Sequence, residues 1–191
     1  MLRFRAFGAT AFTVFSNPPY ALERFPHICK ALAEYEDVDI ICIQECYEEQ
    51  HFSDLAEALK SKYPYHARVS SGFSLLKFNN GLITFSKHPI SAPVLTPLKK
   101  VSALERHLAS KSNLSCDVSI PDLGNFTVVH MHTTAGGTTH PNDDGVDTDR
   151  ESELLQAYET CEAAKARGFI PLIVGDFNCG PEASLGNFKY I

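Results

Sequence analysis

The sequence predicts an α/β layered sandwich, and three observations carry that expectation. Apolar runs of strand length stand within residues 37–45 and at 170–174. Other segments repeat their apolar residues at helical spacing, and the middle of the chain holds several strand-like runs in succession. Strands interleaved with helices around an antiparallel-looking middle bury their faces as stacked layers. A chain of 191 residues, 44% of them apolar, can enclose a sizeable core. Neither a linker nor a low-complexity stretch divides it, so residues 1–191 are expected to form one domain.

In chain order, one or two strands are expected in residues 2–16, ended at Asn17-Pro18-Pro19, where paired prolines block continuation. Arg3 and Arg5 before an apolar stretch imitate a signal peptide, but without a clear small-residue cleavage site the strand reading is preferred. Leu22, Phe25, Ile28, Cys29, Leu32 and Tyr35 mark the buried face of a helix over 21–36, with Pro26 early enough to be tolerated. A buried strand then runs to Glu45, and Ser53 is expected to cap a helix reaching about Lys62. Strands are expected near 64–69, 80–86, 113–119 and 125–132. Thr148-Asp149-Arg150-Glu151 has the form of a capping box and opens a helix to about Arg167, with Leu154, Leu155, Tyr158 and Cys161 towards the core. The apolar strand 170–174 follows.

Charge and cysteine usage narrow the function. A net charge of −6 argues against a broad nucleic-acid surface, which needs Lys and Arg to replace phosphate counterions. A small substrate or a lipid headgroup fits better. Cys29, Cys42, Cys46, Cys116, Cys161 and Cys179 form no CxxC pair and several sit in apolar runs, so a reducing, cytoplasmic compartment is expected. None of the apolar stretches reaches spanning length, which leaves peripheral contact with a membrane surface open.

The residues that carry chemistry stand at strand ends. Strand 170–174 runs into Gly175-Asp176-Phe177-Asn178; if the chain stays extended, Asp176 and Asn178 share a face while Phe177 packs the other way. One side chain can accept a proton and the other donate hydrogen bonds. Gly-Asp-x-Asn is also an ordinary way to end a strand in a turn, because Asp and Asn hydrogen-bond their own backbone. A second apolar strand, 37–45, delivers Glu45. Hydrolysis of a phosphodiester needs neutralised charge, an activated water and a stabilised leaving oxygen; Mg2+, with Mn2+ as the alternative, asks for only one or two carboxylates and keeps its waters. Glu45 is the candidate ligand. His130 and His132, two apart on an apolar strand, face one side, but the pair lacks a third ligand at zinc spacing, and a satisfied core histidine is the commoner fate.

Four segments, "DIICIQE", "NGLITFSKHPI", "VVHMHTT" with the following Arg150, and "GDFNCGPE", occur in the order found in the endonuclease/exonuclease/phosphatase superfamily, which the chain resembles over roughly residues 12–182. The His-Thr-Thr-Ala-Gly-Gly stretch and the acidic composition look more like its neutral sphingomyelinase-like branch than its DNA-repair nucleases. The resemblance implies a DNase I-like fold with two central sheets flanked by helices, and a Mg2+-dependent phosphodiesterase acting on a lipid or small phosphodiester. It implies Glu45 and Asn17 at the metal, His132 on the scissile phosphate or leaving group, Asp176 orienting or deprotonating the water or holding the catalytic histidine, and Asn178 stabilising phosphoryl charge. Asn17 fits only if strand 12–17 is the family's first; if 2–7 is, Gly8 holds that place. His130 stands where the family has Asn. The family continues to a terminal strand with an Asp-His pair, so the chain is expected to lack C-terminal strands. A nuclease of the same superfamily and a catalytically inactive binding domain therefore remain as alternatives.

Other features carry less. The acidic stretch 142–149 imitates a calcium loop, but with Gly145 at the sixth position the first ligand would be His140, so a solvated acidic loop is expected. Gly136-Gly137 is more simply a turn than a phosphate cradle. His27, His51, His66, His88 and His107 form no cluster and are expected to be structural or exposed.

Overall fold

A computed structural model describes residues 21–69, 79–91, 93–101, 110–135 and 144–179. Within them the chain forms α1 (Ala21–Glu34), β1 (Ile40–Ile43), α2 (Glu49–Leu59), β2 (Tyr65–Ala67), β3 (Ile83–Ser86), β4 (Val94–Pro97), β5 (Ser112–Ile120), β6 (Gly124–His132), α3 (Asp144–Ala166) and β7 (Ile170–Asp176). One sheet has the order β1-β3-β2, all antiparallel; the other has the order β4-β5-β6-β7, antiparallel except for the parallel pair β6 and β7. That parallel pair is joined through α3, which supplies the crossover that parallel strands require.

Strand alternation sorts the side chains into layers. Ile41, Ile83 and Phe85 pack beneath α1 and α2 with Phe25, Cys29, Leu55, Leu59 and Tyr63. Their neighbours Ile40 and Cys42 turn inward to meet Ala67, Leu82, Leu114, Cys116, Val118, Val128 and Val174. Val129 and Met131 face outward again, against Ala157 and Cys161 of α3, with Leu154 and Phe177 alongside. Helices, sheet, sheet and helix thus stack as an α/β sandwich, the layered fold with two sheets that the sequence implied.

One polar chain crosses the apolar layer between the sheets. His130 of β6 is fully buried; its Nε2 lies 2.6 Å from Gln44 Nε2, just past β1, and its Nδ1 lies 3.2 Å from Thr84 Oγ1 of β3. Thr84 Oγ1 in turn lies 3.8 Å from Cys42 Sγ. An amide nitrogen only donates, so His130 Nε2 accepts and Nδ1–H donates to the Thr84 oxygen. Burial, with the adjacent His132, pushes the His130 imidazole down to about 3 and keeps it neutral.

Local differences from the sequence reading have physical causes. Helix α2 begins at Glu49, a turn before Ser53; Glu48 is the extended N-cap residue and makes no side-chain cap, and Ser53 Oγ donates back to the Glu49 carbonyl at 3.1 Å. Helix α3 begins at Asp144 rather than after Thr148. Leu155 and Tyr158 are exposed, because the buried stripe of α3 runs through Arg150, Glu153, Ala157, Cys161 and Ala164. Alanines on that stripe let the helix lie close to the sheet, and the larger apolar residues fall beside it. Tyr35 is exposed beyond the end of α1. Strand β4 has no counterpart among the expected strands: it is an edge strand with Val94 exposed and Pro97 in it, positions where proline is tolerated. At the opposite edge, β7 exposes Ile170, Leu172 and Ile173, although its composition reads as a buried strand. All six cysteines are free thiols. Among the described residues, none of the helices is long and apolar enough to cross a membrane.

Two measurements check this packing. Gly175 (φ 147°) sits so close to β6 that a Cβ on it would clash with the Met131 carbonyl oxygen, whereas Gly168 (φ 80°) has open space around it. Gly175→Ala is expected to cost more than about 3 kcal/mol in urea unfolding, and Gly168→Ala only the ~1 kcal/mol of left-handed backbone strain. For His130, the folded value lies below the ordinary 6.5 of the unfolded chain, so its contribution is full above pH 6.5 and is lost as pH falls towards 3. The loss should reach about 2 kcal/mol at pH 5. His130→Phe should flatten this part of the stability profile; an unchanged profile would contradict a buried neutral imidazole.

Candidate active site at the ends of β1, β6 and β7

The carboxyl ends of three strands meet at one rim. His132, the last residue of β6, stands beside Asp176, the last of β7, in the parallel register. Both lie on the inward face of their sheet, two residues beyond His130 and Val174. Glu45 follows β1 in the other sheet, and its carboxyl is near enough to feel the charges of Asp176 and Lys111. Burial raises the Glu45 carboxyl, the Asp176 charge raises it further, and Lys111 opposes them. Two carboxylates that repel across a half-buried gap suit a divalent cation, which would relieve both the burial and the repulsion. Among the described residues, groups of three or more His, Cys, Asp or Glu able to hold a metal are absent. A Mg2+ site needs fewer than that.

Glu45 adopts a left-handed backbone, φ 62°, which non-glycine residues occupy only when their surroundings hold them there. The hold comes from the "NGL" segment. Asn80 Oδ1 accepts the Leu82 amide at 2.8 Å and Asn80 Nδ2 donates to the Val69 carbonyl at 3.0 Å, shaping a turn through Gly81. The Gly81 carbonyl then accepts the Cys46 amide at 2.9 Å, and a Cβ at Gly81 would fall 2.7 Å from Tyr47 Cε1. Glycine is required there by both its φ of 72° and the close ring.

The chain leaving β6 is braced from every side. Lys111 Nζ donates to the carbonyls of His132 (3.2 Å) and Thr133 (2.9 Å), and the Thr133 amide donates to the Asp176 carbonyl at 3.0 Å. Glu153 accepts the Thr134 amide at 2.8 Å and its hydroxyl at 2.6 Å, while Arg150 Nε donates to the Thr134 carbonyl at 2.9 Å. Lys111, Arg150 and Glu153 are buried. Of these only Arg150 drew notice in the sequence; Lys111 and Glu153 carry no local signal, since their partners lie about twenty residues away.

The Gly-Asp-x-Asn segment does not stay extended. Strand β7 ends at Asp176, the Asn178 amide donates to Asp176 Oδ1 at 2.9 Å, and Asn178 itself is left-handed, φ 47°. The Asx turn that the motif permits is therefore formed, and Asn178 Nδ2 donates to the Thr133 carbonyl at 3.0 Å. Phe177 packs towards α3. The turn places Asn178 beside the braced segment after His132.

The remaining candidates are either outside the described residues or engaged elsewhere. Asn17, Gly136, Gly137 and His107 fall outside the described residues. Residues 144–149 form the opening of α3 instead of the expected solvated acidic loop. His51 stacks on Phe25 with ring centroids 4.3 Å apart, His66 sits between Phe52 and Phe85, His88 pairs with Asp39 at 3.1 Å, and His27 is exposed.

Comparison with known proteins bears on the fold that carries these strand ends. No curated protein matches the chain. Among solved structures, sphingomyelinase C from Streptomyces griseocarneus superposes with a TM-score of 0.65 at 16% identity, covering 82% of this chain and 58% of its own. A Staphylococcus aureus beta toxin variant with bound magnesium ions gives 0.61 at 19% identity, covering 86% and 63%. TDP2 from C. elegans gives 0.63 at 16%, covering 86% and 45%. The chain thus spans less than two thirds of each of these proteins, and at such identities the likeness concerns the fold. Residues 14–188 match the Endonuclease/Exonuclease/phosphatase family, and the chain belongs to that family.

Proposed function

We propose that the chain is a Mg2+-dependent phosphodiesterase of the sphingomyelinase-like kind, hydrolysing a lipid or small phosphodiester. The observation that carries this reading is the meeting of Glu45, His132 and Asp176 at one rim, with the Glu45 and Asp176 carboxylates electrostatically coupled. Glu45 would hold the cation, and Asn17, which lies outside the described residues, is the second candidate ligand that the family resemblance implies. When bound, the cation polarises the phosphoryl oxygens and neutralises developing charge. Asp176 orients the attacking water or takes its proton, and the water oxygen bonds to phosphorus as the ester P–O bond breaks. His132 donates a hydrogen bond to the phosphate or a proton to the departing oxygen. Asn178, whose amide nitrogen keeps one proton beyond its bond to Thr133, stabilises charge on the phosphoryl oxygens.

Support for a small or lipid substrate comes from the acidity of the chain, with a net charge of −6. Structural similarity to sphingomyelinase C and to beta toxin points the same way. Phosphocholine release from sphingomyelin and hydrolysis of bis(p-nitrophenyl) phosphate, each with Mg2+ and with EDTA, test the proposal. Wild type should turn over in Mg2+ only, and Glu45→Gln, His132→Ala and Asp176→Asn should each lose roughly 100-fold or more in kcat/KM. DNA cleavage without lipid turnover would replace this reading by a nuclease. Turnover of none of these by folded protein would leave the binding-domain reading.

A further inference from the structure

We propose that His130 is a positioning residue, which holds the Gln44-Glu45 turn of one sheet in fixed relation to His132 and Asp176 of the other. The inference rests on the functional reading above and deepens it. The two halves of the candidate site belong to different sheets, and the layer between them is mainly apolar. Apolar contact is non-directional, so it holds sheets together without fixing their offset. Hydrogen bonds are directional, and those of His130 cross that layer.

Both ring nitrogens are matched. Gln44 donates to Nε2 at 2.6 Å, and Nδ1–H donates to Thr84 Oγ1 at 3.2 Å, leaving the Thr84 proton to point at Cys42 Sγ. Cys42 and Thr84 are themselves paired in the β1 and β3 register, so the ring grips two neighbouring strands of the facing sheet. On its own strand His130 is two residues from His132, and across the parallel pair it lies beside Val174, two before Asp176. Gln44 is the residue before Glu45. A displacement of the ring is thus passed to Glu45 and His132 through one or two peptide units, and to Asp176 across the β6–β7 ladder.

Packing alone does not require histidine here. A phenylalanine would fill similar space without the cost of burying two ring nitrogens, so satisfied polar atoms point to a directional role. Neither nitrogen is left to meet a substrate: His130 is wholly buried and both sides of its ring are engaged.

The test compares wild type with His130→Phe, Gln44→Leu and the double variant, by steady-state kinetics on bis(p-nitrophenyl) phosphate in Mg2+ and by thermal melting. Each single variant should lower kcat about tenfold or more with KM within about twofold, as expected for misplaced groups, and the double variant should fall no further than the worse single. Either single variant keeping kcat within about twofold of wild type would overturn the proposal. An inert wild type would count against the phosphodiesterase reading alone. The clasp is then decided without turnover, by the 15N shifts of the His130 ring and hydrogen exchange at the Cys46 and Thr133 amides. A ring protonated on Nδ1, with exchange about tenfold faster in His130→Phe, supports it. A ring protonated on Nε2, or unchanged exchange, overturns it. If His130→Phe fails to fold, Gln44→Leu carries the same readouts.

Discussion

The parallel pairing of β6 with β7 is the constraint from which the rest of the site follows. It sets His132 beside Asp176, and it exists only because Gly175 lets the two backbones approach at Met131, where any side chain would strike the carbonyl. The glycine before the acid is therefore a packing requirement first. Once β7 lies there, its end turns through the Asx bond of Asp176 and carries Asn178 to the Thr133 carbonyl. Helix α3, which makes the parallel crossing, also brings Arg150 and Glu153 under the same segment. One topological decision supplies two residues of the candidate site and much of its bracing.

The other half arrives from the facing sheet by a different device. Glu45 is held in a left-handed backbone by the Asn80-Gly81 turn, and that strain is stable because Cys46, Tyr47 and Gly81 leave it no alternative. The carboxyl so presented is half buried, raised by its surroundings and raised again by Asp176. Lys111, tied to the carbonyls of His132 and Thr133, opposes that shift. Such a rim suits a cation that can bridge to a phosphate.

The sequence was informative where structure is local. Helix α1, strands β5 and β6, and the strand ends carrying Glu45 and Asp176 were all legible, since periodicity and apolar runs report burial of short segments. In helix α3 the sequence places Leu154 and Cys161 correctly but not Leu155 and Tyr158, because the rest of the buried stripe is Arg, Glu and Ala, which has no apolar signature. Strand β4 has too little burial to leave a pattern. Least legible were the long-range polar contacts: nothing near Gln44 announces His130, eighty-six residues later, and nothing near Lys111 announces Thr133. The two-sheet arrangement became readable only through the order of several motifs, each weak by itself.

The most direct measurement is a crystal of the chain soaked in Mn2+, with anomalous differences recorded at the manganese edge. The account predicts a peak bound to the Glu45 carboxylate on the side facing Asp176 and His132, and its disappearance in Glu45→Gln crystals. A peak elsewhere, or none at this rim while the protein remains folded, would contradict the claim that these strand ends form a metal-dependent phosphodiester site.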